Sequence, residues 1–322
     1  MFGSGGEITM KVLCLIELPP SARERITAIR PDIELSELER SSPAFADELG
    51  QAEVIAGWLT EDELARARNL RWLQLGSAGA DRFVENAAPG VLLTTASGVF
   101  GPAMAEHVLA MMLTLARGLD RMASAQRESR WASGLVRGGL IGNTLGIVGL
   151  GDIGRAIAVR AKGFEMHVLG VKRLADGPAP PGVDELFSVS ALDDVLARSD
   201  HVVLVLPKTR QTDRLLDARR LGLMKPGAFV YNIGRGNAID EPALIEALRS
   251  GALAGAGLDV FDREPLAVDS PLWSLPNVII SPHAAGYTPR YRRRFADIFA
   301  DNLERYVSGQ PLRNLVERER GY

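Results

Sequence analysis

The chain has 322 residues, which predicts two domains at about 100–200 residues each. Its hydrophobic fraction of 46% and charged fraction of 24% exclude a disordered chain, a fibre and a small disulfide scaffold. The formal net charge of −3 leaves no electrostatic footprint for nucleic acid, and no apolar run reaches the about 18–20 residues of a membrane helix.

Residues 1–9 lack a basic segment followed by an apolar one, so they do not resemble a secretory signal. The single cysteine, Cys14, lies in an apolar run and is predicted to be a buried strand residue. A lone cysteine permits no internal disulfide, which fits a reducing compartment. We therefore expect a cytoplasmic protein.

The N-terminal third alternates short apolar runs with helical segments. The predicted strands are 12–16, 54–58, 70–75 and 91–95, and the predicted helices are 44–49 and 61–67. Thr60 and Glu63 form a capping-box pattern at the start of the second helix. Such alternation predicts a parallel sheet with helices on both faces.

A segment with two glycines and a proline, 97–102, is a plausible hinge, and one long helix is predicted over 103–122. Its large apolar residues recur at helical spacing, which is typical of a core or of a dimer seam; they are Val108, Met111, Met112 and Leu115. This helix is one ground for expecting a homodimer. Residues 123–142 are polar and then glycine-rich, which is typical of an irregular connection between elements.

A second strand–helix series begins at Asn143. The predicted strands are 145–149, 167–170, 201–206, 228–233, 255–260 and 278–281, and the predicted helices are 155–162, 191–197, 212–223, 241–248 and 289–307. The strand count predicts an α/β protein with two doubly wound parallel sheets.

The sharpest local motif is a G-x-G-x-x-G formed by Gly149, Gly151 and Gly154, between an apolar strand and a helix. In a dinucleotide fold the first glycine permits a tight turn, the second lets backbone approach a pyrophosphate, and the third lets helix pack on strand. The helix N-terminus then holds the anion. Because both flanks are correct, we predict a dinucleotide site rather than a loop that only turns a corner.

The end of the next strand indicates which dinucleotide is bound. An NAD-specific fold usually has an acid about 20 residues after the motif to bind the ribose 2′-hydroxyl. This chain has Lys172 and Arg173 there, with no carboxylate before Asp176. Although two basic residues often end a strand in solvent, positive charge suits a 2′-phosphate, and we favour NADP(H) over NAD(H).

Arg235, Glu264 and His283 each follow a predicted strand, where ligands bind in open α/β sheets. Arginine matches a carboxylate, histidine exchanges protons near neutral pH, and a glutamate fixes and stabilises an imidazolium. Taken singly, they are better explained as a member of a surface ion pair, a turn residue and a satisfied core histidine, respectively. Together, downstream of a nucleotide loop, they predict one catalytic set, with no cluster of metal-ligand spacing.

At this point the chain resembles the D-isomer-specific 2-hydroxyacid dehydrogenase family. Besides the glycine motif, the resemblance rests on the runs 206–212, 224–236, 257–266, 271–278 and 282–286. The resemblance extends over about 72–306, and residues 1–70 match only in their general sequence pattern. It implies that Arg235 binds the substrate carboxylate and carbonyl, and that Glu264 pairs with His283, the general acid/base. It also implies a nicotinamide carboxamide contact for Asp259.

The segment 75–81 resembles the family's substrate loop, whose backbone N–H groups hold the carboxylate, so substrate binding is predicted for Ser77, Ala78 and Gly79 together with Arg235 and His283. An ordinary strand-to-helix turn is the alternative. The cofactor-binding residues predicted from the motifs and the resemblance are Gly149, Gly151, Asp152, Ile153, Gly154, Lys172, Arg173, Leu206, Pro207, Thr212, Ile233, Gly234, Asp259 and Gly286.

The resemblance also implies how the chain is divided. A flavodoxin-like substrate domain of 1–98 plus 288–322 receives an inserted Rossmann dinucleotide-binding domain, 99–287, and the protein forms a homodimer. The basic pair Lys172 and Arg173 resembles the glyoxylate/hydroxypyruvate reductase branch. We therefore expect reduction of a small 2-keto acid to the D-2-hydroxy acid, or the reverse. The alternatives are a dinucleotide-sensing, corepressor-like module and another enzyme of the superfamily, such as phosphoglycerate, phosphite or formate dehydrogenase.

Overall fold

The computed structural model describes residues 9–321, so the segment 1–9, apart from Thr9, lies outside the described residues. The chain divides into two compact units. One contains the chain up to Val99 together with the segment from Thr288 onward, and the other is Phe100–Tyr287. The boundaries predicted from the sequence are 98/99 and 287/288. The substrate-binding and dinucleotide-binding roles of the two parts stay predictions at this stage.

The first unit is built on a five-stranded sheet in which every pairing is parallel. Its strands are β1 (Met10–Cys14), β2 (Ile33–Glu37), β3 (Val54–Gly57), β4 (Trp72–Leu75) and β5 (Leu92–Thr94). Its first helices are α1 (Pro20–Ile29), α2 (Phe45–Gln51), α3 (Glu61–Arg66) and α4 (Asp81–Val84). The order β2-β1-β3-β4-β5 is that of flavodoxin-like sheets.

The capping box predicted for α3 is present. Thr60 Oγ1 accepts from the backbone N–H of Glu63, and Glu63 Oε2 accepts from that of Thr60 at 2.9 Å. Sequence analysis missed α1 and β2, because neither has a strong apolar pattern. Only Ala22 and Ile26 of α1 are buried, and only Ile33 of the edge strand β2 is.

The second unit is built on a seven-stranded, all-parallel sheet. Its strands are β6 (Thr144–Val148), β7 (His167–Lys172), β8 (Glu185–Ser188), β9 (His201–Leu204), β10 (Ala228–Asn232), β11 (Leu253–Leu258) and β12 (Val278–Ile280). Its helices are α5 (Gly101–Arg117), α6 (Leu119–Arg127), α7 (Asp152–Ala161), α8 (Leu192–Arg198), α9 (Ala218–Leu223) and α10 (Glu241–Arg249).

The strand order of this sheet is β12-β11-β10-β9-β6-β7-β8. Counted within the unit, the order is 3-2-1-4-5-6 with a seventh strand added, as in dinucleotide-binding folds. From β6 the strands are added first on one side, through β7 to β8, and then on the other side, from β9 to β12. The loops after β6 and β9 therefore flank the switch point at which such folds bind ligands. The structure confirms the predicted α/β class with two doubly wound parallel sheets.

The single helix predicted over 103–122 is wrong, because two helices occupy this region. Gly118 separates α5 from α6 in the left-handed conformation, with φ +65°. A Cβ at Gly118 would lie 2.1 Å from the carbonyl oxygen of Leu135, so the close approach of a neighbouring segment requires glycine here.

The apolar stripe on α5 lies in the core of the second unit. Val108, Met111, Met112 and Leu115 are all buried there, in the cluster that includes Ile147 of β6. The stripe therefore has its partners within the chain and gives no support to a dimer seam. The expected homodimer rests on the family resemblance alone and stays a prediction.

Two further element predictions need correction. The helix predicted over 212–223 begins only at Ala218, because Thr212 belongs to a turn and Asp217 caps α9 by accepting from the N–H of Arg220 at 2.8 Å. The strand β8 was missed because each of its residues is only half-buried, which leaves no apolar run.

The last helix, α11 (Tyr291–Val307), belongs to the first unit, and its apolar face is fully buried at Phe295, Phe299 and Leu303. The ring of Phe299 lies 5.7 Å from that of Trp72 on β4, which fixes the helix against this sheet. Cys14 is buried, as predicted for a strand residue, and burial raises the pKa of its thiol to about 12. Within residues 9–321 no helix is long and apolar enough to cross a membrane.

Candidate active site

The glycine loop between β6 and α7 has the geometry that the sequence predicted for it. Gly149 has φ +107°, and a Cβ there would lie 2.2 Å from the carbonyl oxygen of Val205. A Cβ on Gly154 would lie 2.0 Å from the carbonyl oxygen of Gly149, so helix and loop pack too closely for any side chain. Beside Gly151, by contrast, a Cβ would meet no atom within 4 Å. Space is therefore left at the position where a ligand must approach backbone.

Asp152 and Ile153 form the first turn of α7, which starts without a side-chain cap. Its first backbone N–H groups have no partner within the helix, as at any helix N-terminus, and they suit an anion. Ile153 packs against the core of the unit. One carboxylate oxygen of Asp152 is buried beside Gly101, at the start of α5, and has no hydrogen-bond partner in the described part of the chain. The backbone of Asp152, rather than its carboxylate, is thus suited to phosphate.

The end of β7 lies next to the glycine loop, since the N–H of Gly149 donates to the carbonyl oxygen of Val171 at 2.9 Å. Lys172 and Arg173 follow directly. Lys172 Nζ lies 2.9 Å from Asp176 Oδ1 and donates to the carbonyl oxygen of Asp176 at 2.7 Å. This hydrogen bond lowers the pKa of the Asp176 carboxyl. The side chain of Arg173 is exposed. The two basic residues therefore differ in how they are engaged.

Loops after three neighbouring strands contact one another at this edge. A Cβ on Gly234, after β10, would lie 2.6 Å from the backbone nitrogen of Leu206, and Leu206 also lies beside Gly149. Thr212 Oγ1 donates to the carbonyl oxygen of Pro207 at 2.7 Å and closes the turn that follows β9. The structure thus brings the predicted positions of 206–212 and Ile233–Gly234 to the side of the glycine loop.

His283 and Glu264 form a direct pair. His283 Nδ1 lies 2.8 Å from Glu264 Oε2, and Glu264 Oε1 accepts from the backbone N–H of Phe261 at 3.1 Å. The backbone of His283 has φ +51°, and its N–H donates to the carbonyl oxygen of Asp259 at 2.8 Å. About half of the His283 side chain is exposed, at 54%. With Nδ1 held by the carboxylate, Nε2 is the nitrogen left for proton exchange.

Arg235 lies on a loop that is fixed from within and from the neighbouring loop. Asn232 Nδ2 donates to the carbonyl oxygen of Arg235 at 2.9 Å, and Asn232 Oδ1 accepts from the N–H of Gly234 at 3.1 Å. A Cβ on Gly236 would lie 1.8 Å from the carbonyl carbon of Phe261, so this loop packs directly on the one that leads to Glu264. Arg235, Glu264 and His283 thus occupy contacting loops at the carboxyl ends of β10, β11 and β12.

Asp259 has a role that sequence reasoning did not assign. It is 1% exposed; Oδ1 accepts from Ser281 Oγ and from the N–H of Ala284, and Oδ2 accepts from the N–H of Ala285 at 3.0 Å. Its carboxylate therefore ties down both sides of His283. The carboxamide contact implied for Asp259 stays a prediction. Gly286, which ends this loop, lies beside the ring of Phe100.

Three supporting residues were missed as site residues: Asn232, Ser281 and His107. His107 Nε2 lies 2.9 Å from Ser281 Oγ. A sequence signal existed for Asn232, a polar residue at the end of an apolar strand, because such a residue, when buried, is unusual unless its hydrogen bonds are satisfied. Ser281 and His107 contact residues distant in sequence, so spacing alone could not reveal them.

The predicted substrate loop follows β4 in the first unit. Ser77 Oγ donates to the carbonyl oxygen of Gly79 at 2.6 Å, and the N–H of Ala96 donates to the carbonyl oxygen of Ser77. The Tyr291 hydroxyl donates to the carbonyl oxygen of Gly76 at 2.7 Å. These bonds fix the shape of the loop, while the binding role of Ser77, Ala78 and Gly79 stays a prediction.

His201 shows how a histidine of the same unit is satisfied as a core residue. It is fully buried between Phe229 and Tyr231, and its ring nitrogens contact Asn143 and the Tyr231 hydroxyl. Burial lowers its pKa to about 4, so it is neutral near pH 7. Among residues 9–321, no group of three or more His, Cys, Asp and Glu side chains is arranged to hold a metal ion.

Taken together, the sheet order, the open glycine loop and the histidine–glutamate pair at the carboxyl edge define a class. They are the parts of a dinucleotide-dependent oxidoreductase. A family model for the NAD-binding domain of D-isomer specific 2-hydroxyacid dehydrogenases matches residues 109–285. The chain belongs to this family, and it is an NAD(P)-dependent 2-hydroxyacid dehydrogenase acting on a CH–OH group.

Among curated relatives, glyoxylate/hydroxypyruvate reductase B of Pectobacterium carotovorum is 40% identical over 270 residues, which cover 81% of this chain and 83% of the relative. A solved structure of a family protein from Aeromonas salmonicida superposes with a TM-score of 0.85 at 38% identity, over 96% of this chain and all of that one. Another, from Xanthobacter autotrophicus in complex with NADPH and MES, has a TM-score of 0.82 at 32% identity, over 98% and 100%.

Proposed function

We propose that the protein reduces a small 2-keto acid of the glyoxylate or hydroxypyruvate type to the D-2-hydroxy acid, and that it prefers NADPH to NADH. The observation that carries the proposal is the 2.8 Å contact between His283 Nδ1 and Glu264, on loops packed against the one that bears Arg235. A proton donor and a carboxylate-binding cation at the edge where dinucleotides bind suit this reaction. The name of the Pectobacterium relative points to the same substrates.

The catalytic roles follow from the charges. Arg235 binds the substrate carboxylate and polarises the keto oxygen, because its guanidinium stays protonated and offers paired donors. His283 donates the proton on Nε2 to that oxygen as negative charge develops on it. Glu264 holds Nδ1 and stabilises the imidazolium, which keeps the proton available. The reduced nicotinamide, when bound, supplies the hydride to the keto carbon.

The groups that would hold the dinucleotide are backbone N–H groups at the start of α7 and an exposed cationic side chain. The N–H groups at Gly151, Asp152 and Ile153 are suited to the pyrophosphate, and Arg173 to a 2′-phosphate. The other predicted cofactor residues are proposed as the walls of the site. They are Lys172 at the end of β7 and, on the loops after β9 to β12, Leu206, Pro207, Thr212, Ile233, Gly234, Asp259 and Gly286. NADPH in the Xanthobacter neighbour supports the preference for the phosphorylated dinucleotide.

The test is a panel of glyoxylate, hydroxypyruvate and phenylpyruvate, each with NADPH and with NADH, read as kcat/KM from the loss of reduced-nicotinamide absorbance. We expect turnover of the two small acids and a higher kcat/KM with NADPH. A clear preference for NADH would contradict the cofactor assignment. Dinucleotide binding without turnover of any keto acid would instead favour the sensing, corepressor-like alternative.

A further inference from the structure

The turn after β7 contains two adjacent cations in unequal situations. Lys172 Nζ is held by both the side chain and the backbone carbonyl oxygen of Asp176, at 2.9 and 2.7 Å. Arg173 is exposed, and within residues 9–321 its guanidinium makes no hydrogen bond, although its charge also attracts Asp176. Only Arg173 is therefore ready to meet an anion beside the glycine loop.

We propose that Asp176 restrains Lys172 and thereby weakens the discrimination of this protein in favour of 2′-phosphorylated dinucleotides. This inference rests on the proposed NADPH preference and names the residue that limits it. Two of the three N–H donors of the Lys172 ammonium are engaged on Asp176, so Lys172 must leave an acceptor of Asp176 to give a 2′-phosphate more than one hydrogen bond. The carboxylate and the phosphate thus compete for one cation.

The same pair should also make the site more tolerant of a dinucleotide without the phosphate. The Asp176 carboxylate neutralises Lys172, so the edge of the site carries one net positive charge rather than two. With Lys172 engaged on it, this carboxylate is not free to act as the acid that binds the 2′-hydroxyl in NAD-specific folds. Because Asp176 is largely exposed, the restraint is weak, and its removal should change affinity by less than tenfold.

The experiment measures binding of 2′,5′-ADP and 5′-AMP to the full chain by titration calorimetry at fixed, low ionic strength. In the unsubstituted protein, 2′,5′-ADP should bind more tightly than 5′-AMP. Asp176→Asn should tighten 2′,5′-ADP about threefold to fivefold and leave 5′-AMP unchanged. The double variant Lys172→Ala/Asp176→Asn should show no such gain, because contacting residues couple in a double-mutant cycle. Lys172→Ala alone should change the affinity for 2′,5′-ADP less than twofold.

Asp194→Asn is the matched control. Asp194 pairs with Arg198 at the same four-residue spacing, and the substitution removes the same charge from the same unit. It should leave both affinities unchanged. An equal gain for Asp194→Asn, or a gain from Asp176→Asn that persists without Lys172, would overturn the restraint while leaving the NADPH preference intact. If the unsubstituted protein binds both probes equally, the preference itself fails, and the inference fails with it.

Discussion

The loop after β6 and the loops after β11 and β12 form two parts of one edge by opposite means. The first is shaped by missing side chains: Gly149 and Gly154 leave no space for a Cβ, and Gly151 leaves space open. The others are shaped by side chains held in place, with Asp259 accepting three hydrogen bonds around His283. The proposed phosphate site thus depends on bare backbone, whereas the proposed proton transfer depends on a group whose position and partner are fixed.

The strongest test of this contrast separates chemistry from dinucleotide binding. His283→Ala should lower kcat/KM for hydroxypyruvate about 10³-fold, because general acid catalysis is lost. The Kd for NADPH should change less than twofold, because the glycine loop is untouched. Steady-state rates and fluorescence titration measure the two quantities.

His167→Ala is the control for that variant, since His167 lies at the start of β7 and pairs with Glu185 at the surface. It should alter neither quantity. Equal loss of turnover and of dinucleotide affinity in His283→Ala would mean that His283 supports the structure rather than the reaction.

The two glycines of the loop should respond differently to the same small change. Gly154→Ala places a Cβ 2.0 Å from the carbonyl oxygen of Gly149, so it should lower the free energy of unfolding by about 1–3 kcal/mol. Gly151→Ala meets no atom within 4 Å and should leave the Tm unchanged, while weakening NADPH binding about tenfold by crowding the pyrophosphate. Thermal unfolding and titration of each variant check this. Similar Tm losses in both would remove the distinction.

The smallest expected effect concerns the positioning of His283. Ser281→Ala removes one of the three hydrogen bonds to the Asp259 carboxylate, so kcat should fall about threefold to tenfold with KM nearly constant. Ser281→Thr, which keeps the hydroxyl, should restore most of kcat. Ser274→Ala, at an exposed serine after β11, is the control. A change in KM alone, or no rescue by threonine, would exclude the positioning role.

Whether a structural feature could be predicted from the sequence depends on how far apart along the chain its interacting residues lie. The capping box of Thr60 and Glu63 was predicted correctly, because its partners lie three residues apart. The conformations of the three glycines follow from a short motif between a strand and a helix, although the closest contact of Gly149 is with the distant Val205. The single helix over 103–122 was predicted wrongly, because Gly118 breaks it against Leu135, a contact that helical periodicity does not contain. The half-buried strands β2 and β8 were missed, because hydrogen bonding to neighbouring strands, rather than an apolar pattern, defines them.

The amino-acid sequence by itself determined the α/β class and the glycine loop and indicated the residue types of the proposed acid/base set, since each depends on local pattern or on side-chain chemistry. Only the tertiary structure decided that the α5 stripe is core, that Asp259 and Ser281 hold the His283 loop, and that Asp176 engages Lys172. The physical reason is that parallel strands are joined by long crossovers, so groups that meet at the sheet edge are far apart along the chain. Which of two equivalent-looking charges is engaged is then set by the folded geometry.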